Sequence, residues 1–264
     1  MAISLIGSGE ITQSKKLLFL GYDNNQTRLI ETLASDGYEV WHSSDEIDTL
    51  EGFDLTISFG YRHIIRTSIL REAVCPIINL HIGYLPYNRG SHPNFWSFYD
   101  STPSGITIHV LDEGIDTGDV LVQRYINFDD GEVTFTETYK RLMNELEDLF
   151  IEHRSDILAG LITPVPQRGS GTYHRSSDLP IEFSGWDSII PDEIARLDKL
   201  LEKHRITKEQ LIDQIEDIRK GNNVNWMDLL RLAFLKSPTE AKALVRKINS
   251  DDNRISELFR QLGE

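Results

Sequence analysis

Asn79 and His81 stand two residues apart at the end of the apolar run CPIINLH. Side chains alternate across a strand, so both face the same side of it. An amide N–H can hold a developing oxyanion, and an imidazole can hold, donate or accept a proton near neutral pH. That combination serves acyl transfer. It also fits a hydrogen-bonded strand terminus, and the pair alone does not separate the two. Downstream, Asp116 lies seven residues after His109 in HVLDEGIDTGDV, a glycine-rich turn between two alternating strands. A carboxylate there can reach the same pocket and orient or charge-stabilise a histidine. It can equally be a solvated acidic turn. His109, on an alternating strand, reads as a wall of the pocket.

These residues need a scaffold. LLFLG, a helix over 25–35 carrying Leu29, Ile30 and Leu33, YEVWH, FDLTISFG, a helical RHIIRTSILREA and CPIINLH alternate strand with helix. The alternation predicts an α/β fold with a doubly wound, mostly parallel sheet. Ligands bind such sheets beyond the carboxyl ends of the strands. After a loop over 82–93 come a short helix NFWSFYD and two strands, GITIHVLD and DVLVQRYIN. A long amphipathic helix over 134–161 follows, with Tyr139, Leu142, Met143, Leu146 and Phe150 on one stripe. PVPQRGSGTYHRSSDLP is rich in Gly, Ser and Pro, and reads as a loop or a β-hairpin over 166–180. The expected division is a catalytic domain over 1–185 and a smaller helical C-terminal region over 186–264. In the latter, Trp226, Leu229, Leu230, Leu232 and Phe234 are spaced for burial against the first domain or in a dimer. Gly7 and Gly9 lack the third glycine of a dinucleotide cradle and precede the first strand, so a flexible N-terminal segment is expected there.

The chain has 264 residues, with 27 basic and 42 acidic side chains and a formal charge of −15. Such a field repels nucleic acid. A small anionic ligand remains open to it, because a few local cations override the global field at short range. No window approaches the apolar length of a membrane span, and the start lacks a basic stretch leading into an apolar one, so a cytoplasmic protein without membrane insertion is expected. Cys75, in the apolar AVCPII, reads as a buried, inert thiol. The histidines have neither ligand spacing nor a cysteine partner, so no metal is expected.

Together, Asn79-Leu80-His81, Leu85-Pro86, Arg89-Gly90 and TIHVLDEGIDTG from Thr107 resemble the formyltransferases that use N10-formyltetrahydrofolate. These include the glycinamide ribonucleotide, methionyl-tRNA and sugar N-formyltransferases. The resemblance covers roughly residues 18–175. One departure is His81-Ile82-Gly83-Tyr84, where the family often places a serine or similar residue after a histidine-proline step. The resemblance implies a Rossmann-like fold and a catalytic triad of Asn79, His81 and Asp116. It also implies N10-formyltetrahydrofolate as formyl donor, with Tyr61, Arg62, His63 and Ile64 at the pterin edge and the turn containing Gly114 and Asp116 against it. In the mechanism so implied, Asn79 and His81 hold the oxyanion while Asp116 orients or charges the histidine and helps move a proton.

GYDNNQTRLI, SFGYRHII, YNRGSHPNFWSF and QRGSGTYHR look most like the enzymes acting on dTDP-linked dideoxyamino sugars. The acceptor so implied is dTDP-4-amino-4,6-dideoxyglucose or a 3-amino isomer, for O-antigen, lipopolysaccharide or another surface polysaccharide, in a homodimeric enzyme. Tyr84, Asn94, Trp96, Tyr173 and Arg175 are the candidate substrate contacts, with helix packing and an exposed hairpin as their alternatives. Two rival functions stay open: a formyltetrahydrofolate deformylase that uses water, and a non-catalytic sugar-nucleotide-binding scaffold.

Overall fold

The computed structural model describes residues 3–7, 10–128, 133–202 and 228–249. Trp226 lies outside them. In chain order the elements are β1 (Ser4–Ile6), β2 (Lys16–Gly21), α1 (Leu29–Ser35), β3 (Glu39–Ser43), β4 (Leu55–Phe59), α2 (Thr67–Glu72), β5 (Ile77–His81) and β6 (Arg89–Gly90). They continue with α3 (Pro93–Tyr99), β7 (Gly105–Val110), β8 (Val120–Tyr125), α4 (Phe135–Ala159) and β9 (Tyr173–His174).

In β2 every residue of LLFL is buried. Leu17 and Phe19 join one core with α1 and α4, while Leu18 and Leu20 join another with Ile69 of α2. A strand covered on both faces needs such an unbroken apolar run. Seven strands form one sheet in the order β1-β3-β2-β4-β5-β7-β8. β3, β2, β4 and β5 are mutually parallel, and β7 and β8 extend the sheet antiparallel beyond β5. The fold is thus the expected α/β sandwich around a mostly parallel sheet.

Four expectations change. The N-terminal segment is an edge strand: β1 pairs antiparallel with β3, Leu5 opposite Trp41. The helix expected from RHIIRTSILREA begins only at Thr67; Ile64 is 78% exposed, and Ile65 is buried without being helical. The expected hairpin over 166–180 does not pair with itself. Instead β9 runs parallel to β6, Arg89 opposite Tyr173 and Gly90 opposite His174. A Cβ at Gly171 would collide with the Pro86 carbonyl, so glycine permits this crossing. Finally, the first compact unit runs to Leu197 and not to 185, because Ile190 and Leu197 are buried with Phe95, Trp96 and Phe135. The second unit contains helical runs over 228–236 and 238–249, in which Leu229, Leu232 and Phe234 are exposed and Leu230 half-buried. Cys75 is buried. No described helix is long and apolar enough to cross a membrane.

Candidate active site

β5 ends at His81. Residues 77, 79 and 81 share its face, so the side chains of Asn79 and His81 continue the row begun by Ile77. Antiparallel β7 sets His109 directly opposite Asn79, and a register irregularity at Ile108/His109 against β8 disturbs the ladder there. Such bulges re-aim a side chain. Asn79 Nδ2 consequently lies 3.2 Å from His109 Nε2.

Asp116 arrives from the turn between β7 and β8, in the left-handed region at φ 52°, a conformation aspartate tolerates better than most residues. The turn is organised by Asp112, whose Oδ1 accepts from the Gly114 N–H and the Thr117 hydroxyl. Asp116 then meets four groups. Oδ1 accepts from Asn79 Nδ2 at 3.2 Å and lies 3.4 Å from His109 Nε2. Oδ2 accepts from the Gly90 N–H at 2.8 Å and lies 3.6 Å from His81 Nδ1. Asn79, His81 and Asp116 are therefore in one cluster, as their spacing suggested.

His81 is nearly buried. Its Nε2 donates to the Asn88 carbonyl at 2.9 Å; a carbonyl only accepts, so the neutral ring carries its proton on Nε2 and turns a bare Nδ1 toward Asp116. Burial pushes the imidazole below its ordinary value, reinforced by the His109 ring and opposed by Asp116 and the Asn88 carbonyl. For Asp116, burial works against the charge. The neighbouring His81 and His109 rings and the Gly90 N–H outweigh it and hold the carboxyl far below the usual carboxylate range. The site at neutral pH is thus a carboxylate beside a neutral imidazole. Gly83 is needed here: a Cβ on it would stand 2.6 Å from His81 Nε2.

A cavity of about 520 Å³ opens over this cluster. It lies beyond the carboxyl ends of β2, β4 and β5, where α/β sheets place ligands. One wall is the loop holding Tyr61, Arg62, His63 and Ile64, and the facing wall is the turn with Gly114, Ile115 and Asp116. Ile64 and Ile115 present apolar surface there, 78% and 44% exposed. Among the described residues, the main chain of 62–65 donates no hydrogen bond to the protein. The slot between these walls offers an unsatisfied peptide edge beneath apolar side chains.

The substrate candidates scatter. Tyr173 lines the cavity and is 44% exposed. Tyr84 sits edge-on to Tyr125, ring centroids 5.9 Å apart, away from the cavity lining. Trp96 is buried and stacked on His174 at 3.8 Å. Arg175 is exposed at the start of a short 3-10 turn. Asn94 is buried, with Nδ2 donating to Phe135 O and Thr138 Oγ1.

Two participants were not singled out as site residues, although they lie in the resemblance-carrying segments QRGSGTYHR and YNRGSHPNFWSF. Gln167 Nε2 donates to the carbonyls of Asp116 and Gly118, at 2.9 and 2.8 Å, and its Oε1 accepts from Arg89. Asn88, fully buried with φ 59°, joins Thr102 and Thr172. Among the described residues, no group of three or more His, Cys, Asp or Glu is arranged to hold a metal.

The family model for formyl transferase matches residues 24–153. The formyltransferase PseJ from Anoxybacillus kamchatkensis, solved in complex with UDP-4,6-dideoxy-4-formamido-L-AltNAc and tetrahydrofolate, is 38% identical. The match covers 67% of this chain and 96% of that one, with a TM-score of 0.62. The dTDP-4-amino-4,6-dideoxyglucose formyltransferase of Mycobacterium tuberculosis is 29% identical over 132 residues, 50% of this chain and 55% of that protein. The methionyl-tRNA formyltransferase of Thermodesulfovibrio yellowstonii is 35% identical over 46% of this chain and 39% of that protein. The chain thus spans about half or less of the curated relatives it matches. With PseJ matched over nearly its whole length, and with Asn79, His81 and Asp116 gathered in one cavity, the chain belongs to the formyl transferase family.

Proposed function

We infer that this protein is an enzyme that transfers a formyl group from N10-formyltetrahydrofolate to the amine of a nucleotide-linked amino-deoxysugar. The observation that carries this reading is the convergence of Asn79, His81 and Asp116 beneath a slot with an open peptide edge. The slot suits the pterin: a flat heterocycle with a donor–acceptor edge matches the free main chain of 62–65 and the apolar Ile64 and Ile115. The bound donor supplies an activated formyl carbon for an amine to attack.

The chain's own groups divide the work. Asn79 Nδ2 is the amide donor at the cavity floor; its two N–H groups rest on Asp116 Oδ1 and His109 Nε2, and turning one of them toward the formyl oxygen meets the negative charge that gathers there. The His81 N–H is committed to Asn88, so the geometry favours the bare Nδ1 as acceptor of the proton the amine must lose. Asp116, ionised 3.6 Å away, stabilises the imidazolium so formed and holds the proton ready for the departing nitrogen. Gly90 and Gln167 hold Asp116 in place.

The acceptor's amine is assigned to carbon 4 of a 4,6-dideoxy sugar. Support comes from PseJ and the mycobacterial relative, whose names share that feature while differing in UDP and dTDP. A role in surface polysaccharide synthesis, as a cytoplasmic homodimer, follows from this reading. The test is to incubate the protein with N10-formyltetrahydrofolate and a panel of UDP- and dTDP-linked 3-amino and 4-amino sugars, with a water-only control. A 4-amino sugar gaining a formyl group by mass spectrometry is the expected result. Folate turnover in the water-only control at the same rate would overturn it.

A further inference from the structure

His109 is fully buried, and the proton transfer assigned above makes no use of it. It stands on β7 directly opposite Asn79 of β5, at the register irregularity beside Ile108, with the His81 ring edge-on at 6.3 Å. Its Nδ1 lies 2.9 Å from the Val110 carbonyl. A carbonyl only accepts, so Nδ1 carries a proton, and in the neutral ring Nε2 is then bare. Nε2 lies 3.2 Å from Asn79 Nδ2 and 3.4 Å from Asp116 Oδ1. An amide nitrogen does not accept, so the approach of Nδ2 to Nε2 is a hydrogen bond only if Nε2 is bare. The second Asn79 N–H goes to Asp116 Oδ1, also at 3.2 Å. One amide nitrogen is thus held from two sides, by an ionised carboxylate and by an imidazole. These holds differ in strength, because a hydrogen bond to an ionised acceptor is roughly twice as strong as one between neutral groups. When negative charge gathers on the formyl oxygen, the N–H resting on His109 is the one released at the lower cost.

We propose that His109 is a positioning residue for formyl transfer: its bare Nε2 holds in place the Asn79 N–H that the formyl oxygen takes in the transition state. With Asp116 as its one partner the amide could swing about a single hydrogen bond. With His109 as the second, the amide plane is set before the substrate arrives, which is the condition for an oxyanion donor to act without reorganisation. The proposal deepens the formyl-transfer reading above and rests on it for the role of Asn79.

Turnover is measured for the full-length parent, His109→Leu, His109→Gln, Asn79→Ala and the double variant His109→Leu/Asn79→Ala. His109→Leu removes the acceptor and nearly keeps the volume. It should lower kcat about tenfold with the folate KM nearly unchanged. His109→Gln, whose Oε1 can accept from the amide, should recover most of that loss. In the Asn79→Ala background His109→Leu should change kcat by less than about twofold, because residues that act through one another are not additive. Parental kcat in His109→Leu, no recovery in His109→Gln, or a full tenfold loss persisting without Asn79 overturns the proposal; the last would show that His109 acts through Asp116 or packing instead. A second measurement does not need turnover or a folded variant. In the parent labelled with nitrogen-15 at histidine, NMR at neutral pH should show the His109 proton on Nδ1 and none on Nε2, and a proton on Nε2 overturns the proposal whatever the kinetics. A bare Nε2 in a parent that formylates no sugar would leave the hold on Asn79 standing and sink the formyl-transfer reading alone.

Discussion

Replacing Asn79 with Ala removes the one amide donor at the cavity floor, and replacing Asp116 with Asn removes the charge that both histidine rings face. Each change is expected to lower kcat by about 10²–10³-fold, the usual cost of one oxyanion donor or its electrostatic equivalent, with the circular dichroism spectrum preserved. Near-parental turnover in both would remove the proposed chemistry from this cluster. pH separates the roles further. Because burial depresses His81, the ring is neutral at pH 7, and protonating it removes the base. The rate should therefore show an acidic limb below the ordinary histidine value of 6.5, one that His81→Asn abolishes along with most activity. Stability follows the same sign. The fold disfavours the protonated ring, so the His81 contribution is full above pH 6.5 and is lost as the unfolded chain takes up its proton below that. Asp116 acts in the carboxylate sense. Its contribution is present above its ordinary 3.8 and is lost as pH falls below that toward its depressed folded value.

Between elements, the contacts that position the site come from far along the chain. Gln167 ties the carbonyls of Asp116 and Gly118 to Arg89. Gln167→Ala is expected to reduce kcat about tenfold, leaving the folate KM nearly unchanged, and Gln167→Glu should fail to rescue it because a carboxylate cannot donate to two carbonyls. A tenfold corresponds to about 1.4 kcal/mol in the barrier. Gly83→Ala tests the close approach to His81: its Cβ must displace the ring, so activity should fall much further than the thermal midpoint does. A purely structural joint lies elsewhere. Glu147 of α4 accepts from Thr27 Oγ1 at 2.6 Å and Arg28 Nε at 2.8 Å, just ahead of α1. Glu147→Ala strands the Thr27 hydroxyl and should cost about 1–3 kcal/mol in urea denaturation with little change in KM. None of these partners was readable beforehand. Asn88, Gln167 and Glu147 are polar residues in segments whose pattern shows only loop or helix, and side chains 51 or 120 residues from their partners leave no periodicity.

At the scale of the whole molecule, the charge of −15 bears on the acceptor. A methionyl-tRNA formyltransferase is among the relatives, yet a strongly acidic surface gains nothing from counterion release on phosphates. Bulk tRNA should not retard the protein in a native gel at 150 mM salt, whereas the proposed nucleotide-sugar acceptor is small enough to be met by local groups within the screening length.

The residue types and their spacing by themselves determined the sheet, through the apolar run LLFL of β2 and the largely apolar strands β4 and β5. They also placed Asn79 and His81 on one face of a strand end, because strand periodicity is a local property that two residues suffice to express. Asp116 was singled out only by the resemblance of TIHVLDEGIDTG to the family's pattern, because its turn alone reads equally as a solvated acidic one. What only the tertiary structure decided is the environment of these groups. Opposing β7 sets His109 against Asn79, the Asn88 carbonyl takes the His81 proton donor, and the β6–β9 pairing carries the Gly90 N–H to Asp116. It also moved Trp96 into packing and brought Trp186, never singled out, to a cavity wall. The reason is physical. Alternation and helical period report which face of its own element a side chain takes. Protonation, hydrogen-bond partner and access to a ligand depend on the other elements packed against that face.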